Sequence, residues 1–75
     1  MNKIIDLKKS VYEICQEYPD AVGILAEVGF SEITKPGMLS TVGRVMTIPK
    51  GARMRGVNLA EVKSAFERHG FQVVE

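Results

Sequence analysis

The chain has 75 residues, 45% of them hydrophobic and 25% charged, and a formal net charge of +1 at pH 7. This length excludes a second domain, and this composition is typical of a soluble globular protein. No apolar run approaches the roughly 20 residues of a membrane-spanning helix, and the small net charge disfavours nucleic-acid binders, whose domains usually have a pI above about 9. We therefore expect one globular domain over residues 1–75, with no membrane contact and with nucleic acid as an unfavoured partner.

The start of the chain and its cysteine content bear on the cellular compartment. The first residues, Met-Asn-Lys-Ile-Ile-Asp, lack the apolar stretch and cleavage site of a secretory signal, which predicts a cytoplasmic protein. Cys15 is the single cysteine and cannot form an internal disulfide. Because it lies among apolar residues of a predicted helix, we interpret it as a buried thiol rather than a reactive one.

Two helices are predicted before residue 30. Ser10-Val11-Tyr12-Glu13 is a capping-box pattern followed by apolar residues at helical spacing, which predicts a helix over residues 10–17. Tyr18-Pro19-Asp20 ends that helix and places Pro19 at the first position of a second one. The predicted buried face of the second helix consists of Val22, Leu25, Ala26 and Val28.

A glycine followed by a phenylalanine ends two of the predicted helices. Gly29 and Gly70 are free to adopt the left-handed conformation just past a helix end, where other residues are strained. Phe30 and Phe71 would then pack back on the last turn of each helix.

The C-terminal part of the chain predicts one helix and one strand. Asn58-Leu59-Ala60-Glu61 is a second capping box and opens a helix that runs to about His69, with Val62, Ala65 and Phe66 inward. After it, Gln72-Val73-Val74 is expected to pair with Lys3-Ile4-Ile5 and so bring the chain ends together.

Residues 36–56 form an unusual central segment that contains four of the seven glycines, two of the three prolines and no acid. The segment also carries large apolar side chains, which a disordered linker would lack. The segment predicts one short helix capped by Ser40 or Thr41 and running through Met46, and another capped by Thr47 and ended by Gly56.

The side chains of this central segment divide into apolar and basic sets. A domain this small needs the apolar set in its core, and we expect burial of Val42, Val45 and Ile48. The basic set is expected to point to solvent and supplies the candidate partner-binding residues Arg44, Lys50, Arg53 and Arg55. Such a cluster either binds an anionic partner or is simply a solvated basic face.

Three methionines, Met38, Met46 and Met54, recur every eight residues in the central segment. Methionines at such positions are usually adaptable core residues. If they are exposed, a partner-binding groove is the better interpretation.

No pattern in the sequence indicates catalysis or metal binding. His69 falls in the last turn of a predicted helix, where a cation interacts favourably with the helix dipole, and Glu13 and Glu17 read as exposed helix acids. Cys15 and His69 are far apart in sequence, which gives no metal-ligand spacing, and the glycines do not match the motif of a phosphate-binding loop. We therefore expect no enzyme activity, no cofactor and no bound metal.

Several stretches of the chain resemble a known family. The resemblance spans nearly the whole chain and is carried by Ile5-Asp6, Val11-Tyr12-Glu13-Ile14, Tyr18-Pro19, Leu25-Ala26-Glu27-Val28-Gly29-Phe30, Thr41-Val42-Gly43-Arg44, Met46-Thr47-Ile48-Pro49-Lys50-Gly51-Ala52 and His69-Gly70-Phe71. These stretches resemble a small helical domain of unknown function in bacteria and archaea. That domain also occurs ahead of PAS and haemerythrin-like regions and is similar to the N-terminal domain of iron-sulfur cluster repair (RIC-type) proteins. The resemblance implies no enzymatic activity.

This chain departs from that family at one informative place. Many relatives carry a Cys-x-x-Cys pair just after the step that corresponds to Gly29-Phe30. Here the matching stretch is Ser31-Glu32-Ile33-Thr34-Lys35, which has no thiol. A redox or metal role is therefore not implied for this chain.

Together these observations predict an all-α fold, a compact bundle of four or five short helices with a minor two-stranded pairing of the chain ends. We expect a non-catalytic interaction or regulatory module that uses the basic, glycine-containing central segment to bind a protein partner. A small-ligand sensor and a weak nucleic-acid binder are the alternatives. The identity of the partner and the formation of a homodimer stay open at this point.

Overall fold

A computed structural model describes residues 3–75 of the chain. In order, these residues form β1 (Lys3–Asp6), α1 (Val11–Glu17), α2 (Asp20–Glu27), α3 (Pro36–Thr41), a 3-10 turn (Val42–Arg44), α4 (Ile48–Arg55), α5 (Leu59–Arg68) and β2 (Phe71–Val74). The described chain is thus a compact, mostly helical domain of five α-helices with a small sheet at its ends, as predicted. None of its helices is both long and apolar enough to cross a membrane.

The two strands pair in parallel, with Lys3 opposite Phe71 and Asp6 opposite Val74. A parallel pair needs a long crossover between its strands, and here the entire helical part of the domain is that crossover. The Leu7 backbone N–H extends the pairing by donating to the Val74 carbonyl at 2.9 Å. The expected pairing of the chain ends is confirmed.

The capping box at the start of α1 is confirmed. The Ser10 hydroxyl accepts from the Glu13 backbone N–H at 3.1 Å, and the Glu13 carboxylate accepts from the Ser10 backbone N–H at 3.3 Å. The neighbouring Val11 N–H donates to the Met46 carbonyl at 2.7 Å. This cap therefore also attaches the central segment to α1.

Both predicted glycine terminators are confirmed. Gly29 has φ +117° and Gly70 has φ +88°, and the phenylalanines that follow them, Phe30 and Phe71, are buried. The Phe30 backbone N–H donates to the Leu25 carbonyl at 2.8 Å, which closes the end of α2 and directs the Phe30 side chain into the core.

Replacing either terminating glycine by alanine is expected to lower the free energy of unfolding by on the order of 1 kcal/mol, because a Cβ is strained at positive φ. An added Cβ at Gly29 would lie 3.0 Å from Val57 Cγ2, whereas at Gly70 it would meet nothing within 4 Å. Gly29→Ala should therefore be the more destabilising variant in urea unfolding. Equal stability of both variants and the unchanged protein would contradict this assignment.

The inward face of α2 differs from the prediction. Its buried residues are Ala21, Ile24 and Leu25, whereas Val22, Ala26 and Val28 of the predicted face are only half-buried. Positions spaced by three and four residues share a helix face, and the spacing of Ala21, Ile24 and Leu25 follows that rule. Pro19 precedes α2 at the cap position with helical φ and ψ rather than occupying its first turn.

The buried apolar core is formed by both strands, by α1, α2, α4 and α5, and by the turns next to them, while α3 has no buried residue and only packs Leu39 against this core. The buried face predicted for α5 is confirmed, since Val62, Ala65 and Phe66 are buried. The predicted capping box is not formed, because the Asn58 side chain accepts from the Ala60 backbone N–H at 2.9 Å rather than from that of Glu61. The remaining buried apolar residues are Ile5, Leu7, Val11, Ile14, Cys15, Ala21, Ile24, Leu25, Phe30, Ile48, Ala52 and Phe71.

Candidate functional site

The first helix of the central segment begins earlier than predicted. It starts at Pro36, so the proposed cap at Ser40 or Thr41 is wrong. Proline has a fixed φ and lacks an N–H, which suits the first position of a helix. The two hydroxyls instead bond back within α3, from Ser40 Oγ to the Pro36 carbonyl at 3.1 Å and from Thr41 Oγ1 to the Gly37 carbonyl at 2.8 Å.

The second helix of the segment, α4, follows the prediction. The Thr47 hydroxyl accepts from the Lys50 backbone N–H at 3.3 Å, and Pro49 lies in the first turn. Gly56 ends the helix in the left-handed conformation, with φ +69°.

The burial of the apolar residues is confirmed only in part. Ile48 is fully buried, Val42 is half-buried, and Val45 is 74% exposed, contrary to prediction. The 3-10 turn packs on α1 through Gly43, where an added Cβ would lie 3.6 Å from the Tyr12 backbone nitrogen. Gly43 therefore faces α1, whereas Val45, which caps the end of the turn, is exposed to solvent.

All four basic candidates are exposed, as predicted, but they do not form one set. The Arg44 guanidinium lies over the Tyr12 ring at 4.3 Å from its centroid. Arg44 Nε donates to the Ser40 carbonyl at 2.7 Å, and one Nη donates to the Tyr12 hydroxyl at 3.3 Å. Arg44 therefore joins the central segment to α1.

Lys50, Arg53 and Arg55 all lie on α4, and within residues 3–75 none of them forms an ion pair with a carboxylate. Arg53 and Arg55 are in the last turn of the helix, where a cation interacts favourably with the helix dipole. We call these three residues the α4 cations. They supply positive charge without a partner in the described chain.

An apolar groove runs beside the α4 cations and encloses about 190 Å³. Its sides come from the turn after α2, the α3 region and α4, and we call it the methionine groove. The lining consists of Phe30, Glu32, Ile33, Met38, Val42, Met46, Gly51, Met54 and Arg55. All three methionines of the central segment are therefore brought to one place.

Two of the three methionines of the groove are exposed rather than part of the core. Met54 is 73% exposed and Met38 is 41% exposed, while Met46 is half-buried against the core. Contiguous exposed apolar surface in a small domain marks an interaction site more often than a scattered apolar residue does. The groove interpretation of these residues is thus the one that their exposure favours.

Gly51 allows close packing at the base of this groove. A Cβ built at Gly51 would lie 2.7 Å from Cε1 of Phe30, closer than real Cβ contacts allow. The missing side chain therefore lets α4 approach the Phe30 ring, which forms the floor of the groove. The glycine was visible in the sequence, but its contact with Phe30 joins residues far apart in the chain.

A second, more open depression of about 530 Å³ lies between α2 and the end of α5. His69 Nε2 lies 3.9 Å from Glu27 Oε2 there, and both side chains are about half exposed. His69 ends α5, as predicted, and no three His, Cys, Asp or Glu side chains converge on a possible metal site within residues 3–75.

Burial raises the pKa of the Cys15 thiol from 9.0 to about 11. Because the thiolate is the reactive form, we expect thiol reagents at pH 8 to label the folded protein on the order of 100-fold more slowly than the urea-unfolded chain. The raised pKa also means that the protonated thiol contributes to the free energy of unfolding. This contribution is fully present below about pH 9 and is lost as the pH rises towards 11. Labelling of the folded protein at the unfolded rate would contradict burial of Cys15.

The sequence profile of DUF1858, a domain of unknown function, matches residues 5–63. The chain belongs to the DUF1858 family. It is also similar to a solved structure, that of a conserved domain protein from Streptococcus pneumoniae TIGR4. The TM-score is 0.93 at 31% identity, and the match covers 99% of this chain and 94% of that chain. No curated protein matches the sequence. DUF1858 is a family of unknown function, so membership identifies related folds and leaves the activity of the chain open.

Proposed function

We propose that this DUF1858 domain is a non-catalytic interaction module that docks a protein partner in the methionine groove. The exposure of Met54 and Met38 around an apolar concavity carries the proposal. Methionine side chains are flexible and polarizable, and they adapt to the shape of a docked segment. The resemblance to the N-terminal domain of RIC-type proteins, stated above from the sequence, would be consistent with a module that acts together with other domains.

The size of the groove favours a protein segment over a small ligand. Pockets for small molecules usually enclose about 300–1,000 Å³ and contain several converging polar groups. The methionine groove encloses about 190 Å³, and its charged lining residues are Glu32 and Arg55. One or two large side chains of a partner suit such a space better than an enclosed ligand.

The second candidate is a weak nucleic-acid binder, which the α4 cations favour. Three cations on one short helix would neutralise few phosphates, so the affinity would be low and would fall with salt. Binding of this kind would not involve the methionines. Loss of binding on substitution of a groove methionine therefore discriminates the two functions.

The test uses two residues of nearly equal exposure, Met54 at 73% and Val45 at 74%, of which only Met54 lines the groove. The full chain, Met54→Ser and Val45→Ser are immobilised and exposed to lysate of the natural host, and the captured proteins are identified by mass spectrometry. We expect a defined protein that the full chain and Val45→Ser retain and that Met54→Ser loses. Equal retention by all three would contradict docking in the groove.

A further inference from the structure

We infer that the segment docked in the methionine groove is acidic and amphipathic, with a large apolar side chain that enters the groove and flanking carboxylates that bind the α4 cations. This inference rests on the proposed function and adds the chemistry of the partner. Two independent features of the described chain support it, the shape of the apolar lining and the distribution of charge along its rim.

The apolar lining defines the central contact of the partner. Phe30 forms a floor that is 1% exposed, and Met38 and Met54 stand at the sides of the groove. A leucine, methionine or phenylalanine side chain of the partner that enters the groove would be shielded from water by this floor and by both sides. Such a buried anchor surrounded by polar contacts is the usual arrangement of a strong interface.

The charge of the rim defines the flanks of the partner. Lys50 and Met54 are four residues apart on α4 and are therefore neighbours on the helix surface, and Arg53 lies beside them. Arg55 itself lines the groove. A carboxylate on either side of an apolar anchor would consequently meet a cation that has no acidic partner within residues 3–75.

The opposite rim does not cancel this charge preference. Glu32 lines the groove, and the Lys35 Nζ lies 3.4 Å from its carboxylate. This rim is therefore locally neutral, and the field over the groove is set by the α4 cations. Arg44 is not part of this surface, because its guanidinium is held against Tyr12.

The methionines allow this proposal to be tested inside the groove itself. Three of the four methionines in the sequence line it. The protein is prepared with ¹³C-labelled methionine methyl groups, and each groove resonance is assigned with a Met→Leu variant. The probe is a designed helical peptide of about 15 residues with leucines four apart between glutamates. Control peptides replace every glutamate by lysine or every leucine by alanine.

We expect the acidic leucine peptide to shift the Met38 and Met54 methyl signals and to bind at least about tenfold more tightly than either control peptide. The Lys50→Gln, Arg53→Gln double variant should lose about tenfold in affinity. The matched control is Lys8→Gln, Arg68→Gln, which removes the same two charge types from exposed residues outside the groove. Its affinity for the peptide should be unchanged.

The inference is wrong if the lysine peptide binds equally well and shifts the same methyl signals, although docking in the groove would then stand. It is also wrong if the alanine peptide or duplex DNA binds equally well without methyl shifts, which would indicate a surface for polyanions. Methyl shifts that depend on protein concentration alone would assign the groove to a second copy of the chain. Absence of methyl shifts with every peptide would overturn the acidic occupant, and the capture comparison would decide the proposed function separately.

Discussion

Replacing Phe30 by alanine is expected to lower the free energy of unfolding by about 3–5 kcal/mol, because Phe30 is among the largest fully buried side chains. The Phe30 ring is 1% exposed and fills the space between the end of α2 and α4. Its removal forfeits the burial of an aromatic side chain and leaves a cavity beneath the methionine groove. Gly51 could fill little of that cavity, because it has no side chain.

Urea unfolding followed by circular dichroism measures this effect. Domains are usually stable by about 5–15 kcal/mol, and a 75-residue domain is expected near the lower end, so Phe30→Ala should remove most of its stability. Met54→Ala provides the control, since Met54 also lines the groove but is 73% exposed, and it should cost less than about 0.5 kcal/mol. Similar losses for the two variants would contradict the division of the groove into a buried floor and an exposed rim.

Alanine in place of Gly51 is expected to destabilise the domain by about 1–2 kcal/mol, although alanine favours helices. The added Cβ would approach Phe30 Cε1 to 2.7 Å, and overpacking of a core usually costs about 1–3 kcal/mol. The gain in helix propensity offsets only about 0.5–1 kcal/mol of this cost. The Phe30 ring is buried, so it cannot turn into solvent to relieve the contact.

Gly23 provides a matched control for that substitution. It lies inside α2, and a Cβ built there meets nothing within 4 Å. Gly23→Ala should therefore stabilise the domain by about 0.5–1 kcal/mol through helix propensity alone. Opposite signs for the two variants in urea unfolding are the expected result, and stabilisation by both would show that α4 does not approach Phe30 so closely.

Local patterns were sufficient to predict the elements whose ends depend on neighbouring residues. The Ser10 cap, the Thr47 cap and the glycine terminators at Gly29 and Gly70 are set by hydrogen bonds and dihedral angles within a few residues. The beginning of α3 was missed because Pro36 and the hydroxyls at residues 40 and 41 offered competing starts. Local preference alone does not decide between such starts.

Burial in the central segment could be predicted less well, because it depends on which side of a short turn meets α1. Val45 is apolar, as core residues usually are, yet it is Gly43 that makes the close contact with α1, and the Val45 side chain is exposed to solvent. In the same way, the four cations lie close together in the sequence. Only the folded structure shows that Arg44 is held against Tyr12, apart from the α4 cations.

The sequence allowed prediction of the residues of the candidate site but not of their arrangement in space. The spacing of Met38, Met46 and Met54 allowed either a core or a groove, and their exposure distinguished the two. The floor of the groove depends on Phe30 and Gly51, which are 21 positions apart in the sequence. No periodic pattern links the residue that follows a helix terminator with a glycine inside another helix, so this contact required the folded structure.

Site-specific photo-crosslinking tests most directly whether the methionine groove contacts a partner. A photoreactive amino acid is placed at residue 54 or at residue 45 of the full chain, the protein is produced in its natural host, and the adducts are mapped by mass spectrometry. We predict that residue 54 crosslinks to a discrete partner through a segment with an apolar residue flanked by acids, and that residue 45 does not. Equal adducts from both positions, or none from residue 54, would contradict the assignment of the groove as the docking surface.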